Sequence, residues 1–146
     1  SAALLCLFVG IADGDTLTAR CPTADAAHPY QQVKVRLAAI DAPEKAQPFG
    51  QRSRQHLAEL CFQVEAKITP KSKDRYGRTV ADVECRGKDA GTEQVQAGLA
   101  WYYVKYGKGY EHLADVEAGA RDARRGLWAD KEPVAPWEWR RATKMK

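Results

Sequence analysis

The sequence predicts an α+β fold in which five short strands close into a small barrel and three α-helices pack around it. Three observations carry that expectation. Apolar and polar residues alternate in short runs, tight-turn dipeptides separate the runs, and helical periodicity appears between the third and fourth strands and toward the end. The chain has 146 residues, 45% hydrophobic and 29% charged, which are ordinary values for one folded domain with its own core.

Leu4 to Ile11 is an aliphatic run ending at Asp13-Gly14, a hairpin signal, and Thr16 to Cys21 alternates as a half-buried return strand should. Pro22 to Tyr30 holds two prolines and several small residues, so it reads as an exposed loop, His28 included. Val33, Val35 and Leu37 alternate with Lys34 and Arg36 in a third strand ending near Ile40, which turns Arg36 away from the apolar face. After Asp41-Ala42-Pro43 a loop runs to Gly50, and a helix follows to about Cys61 with Leu57, Leu60 and Cys61 as its apolar stripe. Val64, Ala66 and Ile68 mark the fourth strand, Lys71 to Gly77 a basic turn, and Thr79 to Cys85 the fifth strand. A short helix from Gly91 closes at Gly98, and a last one, about Glu111 to Arg125, carries Leu113, Val116 and Ala120 and stops at Gly126. Residues 129–146 form a tail expected to pack on the surface through Trp137 and Trp139. This order of elements suggests a five-stranded Greek-key barrel of the OB type, in a single domain over 1–146.

The net charge of +4 and pI near 8.9 are mildly basic. Residues 45–88 carry twice as many Lys and Arg as Asp and Glu, and the last seven add Arg140, Arg141, Lys144 and Lys146 without an acid. Residues 1–44 lean acidic. A basic middle beside an acidic opening suits a protein that attracts phosphates and holds a cation. Plain solubility accounts for the same balance. The apolar start Ala2 to Val9 is far short of the ~20 residues of a spanning helix. It reads as a strand, with any signal peptide already removed, since Ser1 is not a start methionine.

Cys6, Cys21, Cys61 and Cys85 allow three pairings, and none lies in a C-x-x-C pair that would suit zinc. A turn at Asp13-Gly14-Asp15 brings Cys6 near Cys21, and a turn around Ser72 to Tyr76 brings Cys61 near Cys85. Disulfides Cys6–Cys21 and Cys61–Cys85 are therefore expected, and with them an exported protein, secreted or periplasmic. Four free buried thiols are the alternative.

Three groups of residues offer chemistry. Asp13-Gly14-Asp15-Thr16 supplies hard oxygen ligands for Ca²⁺ or Mg²⁺, although Asp-Gly serves equally as plain hairpin chemistry. In Arg36-Leu37-Ala38-Ala39-Ile40-Asp41-Ala42-Pro43-Glu44, the rigid Pro43 separates two acids, so that one can ligate a metal while the other takes a proton from water. Surface salt bridging is the bland reading of the same residues. Asp74-Arg75-Tyr76-Gly77-Arg78 presents guanidinium forks for phosphate and a ring for stacking, in a type of charged turn that is also common without function.

In this order the three groups closely resemble the signature of the staphylococcal nuclease (thermonuclease) family: a DGDT turn, an R-L-x-x-I-D-x-P-E strand end and a D-K/R-Y-G-R turn. Gly98-Leu99-Ala100-Trp101 and Gly126-Leu127-Trp128 extend the likeness, which runs from about Val9 to Trp128. The resemblance implies Ca²⁺ held by Asp15, Asp41 and the main-chain carbonyl of Ala42, with Asp13 one layer further out. It implies Arg36 and Arg78 as phosphate-binding catalytic arginines and Glu44 as the residue that orients or deprotonates water. Substrate contacts would come from Arg75, Tyr76 and Tyr106, with Tyr103 a second candidate for the last. The activity implied is hydrolysis of DNA and RNA to 3′-phosphate ends by a monomer that needs neither membrane nor protein partner.

Two departures bear on substrate preference: the loop Lys45 to Gly50 is shorter than in the staphylococcal enzyme, and Pro22 to Tyr30 is longer. That relative also has no cysteines, so the disulfides rest on hairpin geometry alone. A non-catalytic nucleic-acid-binding module on the same barrel is the alternative function. A secreted scaffold that binds calcium for stability is a third reading. Intact Arg36, Glu44 and Arg78 argue against a decayed site.

Overall fold

A computed structural model describes residues 2–144, so Ser1 and Lys146, read above from sequence, lie outside it. Strands β1 (Leu4–Asp13), β2 (Thr16–Pro22) and β3 (Tyr30–Leu37) form an antiparallel meander. The two-residue β4 (Ile40–Asp41) and helix α1 (Gly50–Cys61) follow, then β5 (Glu65–Lys73) and β6 (Thr79–Cys85). β5 pairs with β1 and β6, and β6 runs parallel to β3, which closes the five long strands into a barrel. The remaining strands and α-helices are β7 (Lys88–Asp89), α2 (Ala90–Gln96), β8 (Trp101–Tyr102), α3 (His112–Asp122) and α4 (Pro136–Lys144), with short 3-10 turns at Val104–Tyr106 and Gly126–Ala129.

The α+β barrel of the OB type is as expected, with a fourth helix in the tail. The closing β3–β6 pairs run from Val35 to Leu37, and the barrel buries Phe8, Leu17, Val35, Leu37, Ile68 and Val83 inside. In β1 the buried positions step from Phe8 to Ile11, breaking the two-residue period. The cause is a register shift between Phe8 and Gly10 against β2, a bulge that inserts one residue and bends the strand around the barrel. β5 extends past the expected strand through Pro70 to Lys73, and a second shift between Pro70 and Ser72 accommodates the proline. The basic turn thereby shrinks to Asp74–Gly77. β3 stops at Leu37, short of the expected Ile40. Ala39 takes a φ of 64° and turns the chain, so that Ile40 and Asp41 pair instead with Tyr102 and Trp101.

Both expected disulfides are present. Cys6–Cys21 links β1 to β2, where the neighbouring pair Leu7 and Arg20 are already in register, and Cys61–Cys85 ties the end of α1 to the end of β6. No helix among the described residues is long and apolar enough to cross a membrane.

Each bridge closes a loop, 15 and 24 residues apart in sequence, so each should contribute about 2–4 kcal/mol by restricting the unfolded chain. Urea unfolding with and without reductant checks this; equal midpoints would contradict it.

Candidate active site

The site is assembled where the β1–β2 turn meets the end of β3. Gly14 is required there because a Cβ would fall 1.8 Å from Ser53 Oγ on α1. Gln94, fully buried on α2, reaches across and donates from Nε2 to Gly14 O (2.7 Å) and Ser53 O (2.9 Å). Its Oε1 pairs with a ring nitrogen of His56. The turn is thus pinned to two helices, and a buried amide inside a helix gives no sequence signal for that task.

Pinned this way, Asp15 faces inward and is 6% exposed. Its Oδ2 accepts from Ala42 N (2.8 Å), its Oδ1 from Thr16 Oγ1 (2.9 Å), and its carbonyl from Leu37 N (2.9 Å). Asp41, 1% exposed, lies next to it. Arg36 spans the pair, with Nη1 3.5 Å from Asp15 Oδ2 and Nη2 3.4 Å from Asp41 Oδ1. The turn at Ala39 also lets Arg36 Nη1 donate to Leu37 O (3.0 Å) and Ile40 O (2.8 Å), so the guanidinium is held from behind. Burial pushes the Asp41 carboxyl above its usual value, the Arg140 hydrogen bonds pull it back, and Asp15 adds to the rise. Asp13 is likewise raised, by burial first and then by Asp15 and Glu44.

Glu44 sits on a tight loop past the buried Pro43. Its N–H donates to Gln47 Oε1 (3.1 Å) and its carbonyl accepts from Gln47 N (2.9 Å). Gly50 approaches so closely that a Cβ would lie 1.9 Å from Glu44 O. The shortness of the Lys45–Gly50 loop is therefore compatible with a fixed Glu44. Its carboxylate meets Arg140 of the basic tail, whose Nη1 donates to Glu44 Oε1 (2.8 Å) and Asp41 Oδ1 (3.2 Å), and Nη2 to Asp41 Oδ2 (2.6 Å). No local spacing reveals this, since the partners lie 96 and 99 positions apart.

Arg78 stands apart from this cluster. Its Nε donates to Asp74 Oδ2 (2.7 Å) and its N–H to Asp74 Oδ1 (2.9 Å), closing the turn. Burial raises the Asp74 carboxyl, but the bonds from Arg78 and Tyr76 outweigh it and hold the group below its usual value. Among the described residues no ion pair joins Arg78 to Asp15, Asp41 or Glu44. The parallel register Arg36 to Val80 nevertheless places Arg78, two residues before Val80, on the same sheet face as Arg36.

The aromatic candidates separate clearly. Tyr76 is 66% and Tyr106 63% exposed. Arg75 lies over the Tyr76 ring (5.0 Å) and donates to its hydroxyl (2.8 Å). The Arg75 guanidinium is raised, first by that bond. Tyr103 instead stacks flat on Trp137 (5.1 Å, 4°) and meets Tyr106 edge-on. His28 stays in its exposed loop, 3.2 Å from Asp25.

A sequence model described as Staphylococcal nuclease homologue matches residues 34–130. The chain belongs to the staphylococcal nuclease family. It is 42% identical over 140 residues to an "Uncharacterized endonuclease" of Haemophilus influenzae, covering 96% of this chain and 75% of that protein. It is also 42% identical over 146 residues to a "Micrococcal nuclease" of Shigella flexneri, covering 93% and 80%. A "Staphylococcal-like nuclease CAN1" of Arabidopsis thaliana is 40% identical over 111 residues, 76% of this chain and 34% of that longer protein. The family match takes in Arg36, Asp41, Glu44 and Arg78 and leaves out both the Asp13–Thr16 turn and α4.

Among the described residues no three acidic, His or Cys side chains converge as a ligand cluster. A cation bound here would meet two buried carboxylates, Asp15 and Asp41, hard oxygen donors of the kind calcium takes. In the metal-free protein two guanidiniums, Arg36 and Arg140, supply the positive charge on those carboxylates.

Gln94→Leu strands the Gly14 carbonyl and takes the amide partner from the His56 ring, and should cost about 1–3 kcal/mol, measured by urea unfolding.

Proposed function

We propose that the chain is a calcium-dependent hydrolase that cuts DNA and RNA phosphodiester bonds with little sequence specificity and leaves 3′-phosphate ends. The carrying observation is the convergence of Asp15, Asp41, Arg36 and Glu44 at one pinned, largely buried position. The family membership and the printed names of its relatives agree with a nuclease. Asp15, Asp41 and the Ala42 carbonyl would hold calcium, which when bound supplies positive charge against a phosphate oxygen.

The chain's own groups do the rest. Arg36, fixed from behind by two carbonyls, offers its outward edge to a non-bridging phosphate oxygen. Arg78, on the same face, turns from Asp74 toward the phosphate as negative charge grows on the reacting centre. Glu44 takes a proton from the attacking water. Water oxygen bonds to phosphorus, the bond to the 5′-oxygen breaks, and that oxygen takes a proton from solvent water while Glu44 returns its own to solvent and the phosphate stays on the 3′ side. Tyr76, Tyr106 and Arg75 form an exposed edge suited to stacking bases and binding the strand. The two disulfides support an exported protein acting in an oxidising compartment as a single domain.

A binding module without catalysis is the second reading, favoured by Glu44 and Arg78 each being closed on an internal partner. Assays on single-stranded and duplex DNA and on RNA, in calcium and then in chelator, separate the two. Glu44→Gln and Arg36→Ala should each lower kcat by at least ~10²-fold with folding intact. Undiminished cutting in chelator, or near-wild-type turnover in either variant, would overturn the mechanism.

A further inference from the structure

Arg140 lies beyond the family-matched segment, yet it makes the closest contacts to the site's acids. Its fork takes both oxygens of Asp41 and one of Glu44, in the bidentate geometry that makes guanidinium–carboxylate pairs strong. Two of the three site acids therefore share this one cation, which comes from a helix at the end of the chain.

The helix is placed to keep it there. Gln47, which also accepts from Glu44 N–H, donates from Nε2 to Val134 O (2.6 Å), tying the entry of α4 to the Glu44 loop. Trp137 stacks on Tyr103 and meets Trp101 edge-on (5.4 Å), while Pro136 is buried. α4 is anchored at its start, and the side chain of Arg140, 37% exposed, extends from it toward Asp41 with an open path to solvent. The anchor gives the guanidinium a high effective concentration at the acids.

Charge then decides what a divalent cation would meet. Arg36 and Arg140 bring two positive charges to the three negative charges of Asp15, Asp41 and Glu44. A dication beside Asp41 raises the positive count to four, with a guanidinium bonded to the same carboxylate. Arg36 is held by Leu37 and Ile40 carbonyls and cannot leave without stranding them. Among the described residues the Arg140 guanidinium has no such hold on main-chain carbonyls, and its side chain is 37% exposed.

We propose that Arg140 is an intramolecular competitor for the divalent cation: it occupies Asp41 and Glu44 in the metal-free protein and is displaced as the cation binds. The proposal rests on the reading of Asp15 and Asp41 as the cation's ligands. Displacement also frees the Glu44 carboxylate, so the base becomes available when the cation arrives and is masked in its absence. A latch closed roughly nine-tenths of the time weakens apparent affinity about tenfold.

Calorimetric titration of calcium into the substrate-free full chain tests this. Arg140→Ala should bind calcium about tenfold tighter than wild type or better, and Arg140→Lys, a point charge without the fork, should fall between. Arg141→Ala removes the same charge one residue on, from an exposed side chain, and should stay within about twofold of wild type because solvent screens it. Calcium should also shift the Arg140 Nε–H resonance of the wild type toward that of a free arginine. Equal or weaker calcium binding by Arg140→Ala and Arg140→Lys overturns the latch while leaving the cation reading intact, as does an Arg140 resonance that calcium does not move. Absence of calcium binding in wild type and variants alike overturns both.

Discussion

Two carboxylates withdrawn from water side by side, Asp15 and Asp41, set the constraint that the surrounding structure answers. Ionised acids in such a place are costly unless cations and hydrogen bonds replace the lost water. The replacements come from several directions: the Ala42 amide and Thr16 hydroxyl on Asp15, Arg36 across both acids, and Arg140 on Asp41. Even so, burial keeps the Asp41 carboxyl above its usual value. Two guanidiniums stand against the three carboxylates of Asp15, Asp41 and Glu44, and that net negative charge is what would make the pocket a cation site.

Holding two such acids together requires a scaffold that does not relax. The barrel bears Arg36 on β3 and Asp15 on the β1–β2 turn, and closure through β3 and β6 carries Arg78 onto the same face. Gln94 and Ser53 clamp the turn from two helices, and Gly14 allows the approach. Far from the acids, Cys6–Cys21 and Cys61–Cys85 staple the strands and α1. Rigidity at the acids and exposure at Tyr76 and Tyr106 fit a division between a fixed reacting centre and an adaptable binding edge.

Arg140 changes the meaning of the C-terminal tail. Read as composition it is one more basic residue in a solvated end. In the fold its helix is anchored on Tyr103 and Trp101 through Trp137, and its guanidinium reaches the acids that matter most. The same anchoring covers one face of Tyr103, while Tyr106, edge-on to it, remains exposed.

Much was determined by sequence alone: the five long strands, three of the helices, both disulfide pairings and the three ordered motifs. Alternation, turn dipeptides and strand register are local properties, and they survive without knowledge of distant contacts. The turn at Ala39, the reach of Gln94 to Gly14 and the seat of Arg140 on Asp41 and Glu44 were decided by the tertiary structure. Each depends on bringing together groups far apart in the chain, or on a backbone bend that no local preference demands. A basic residue at a chain end has many places to go, and packing alone chose the acids.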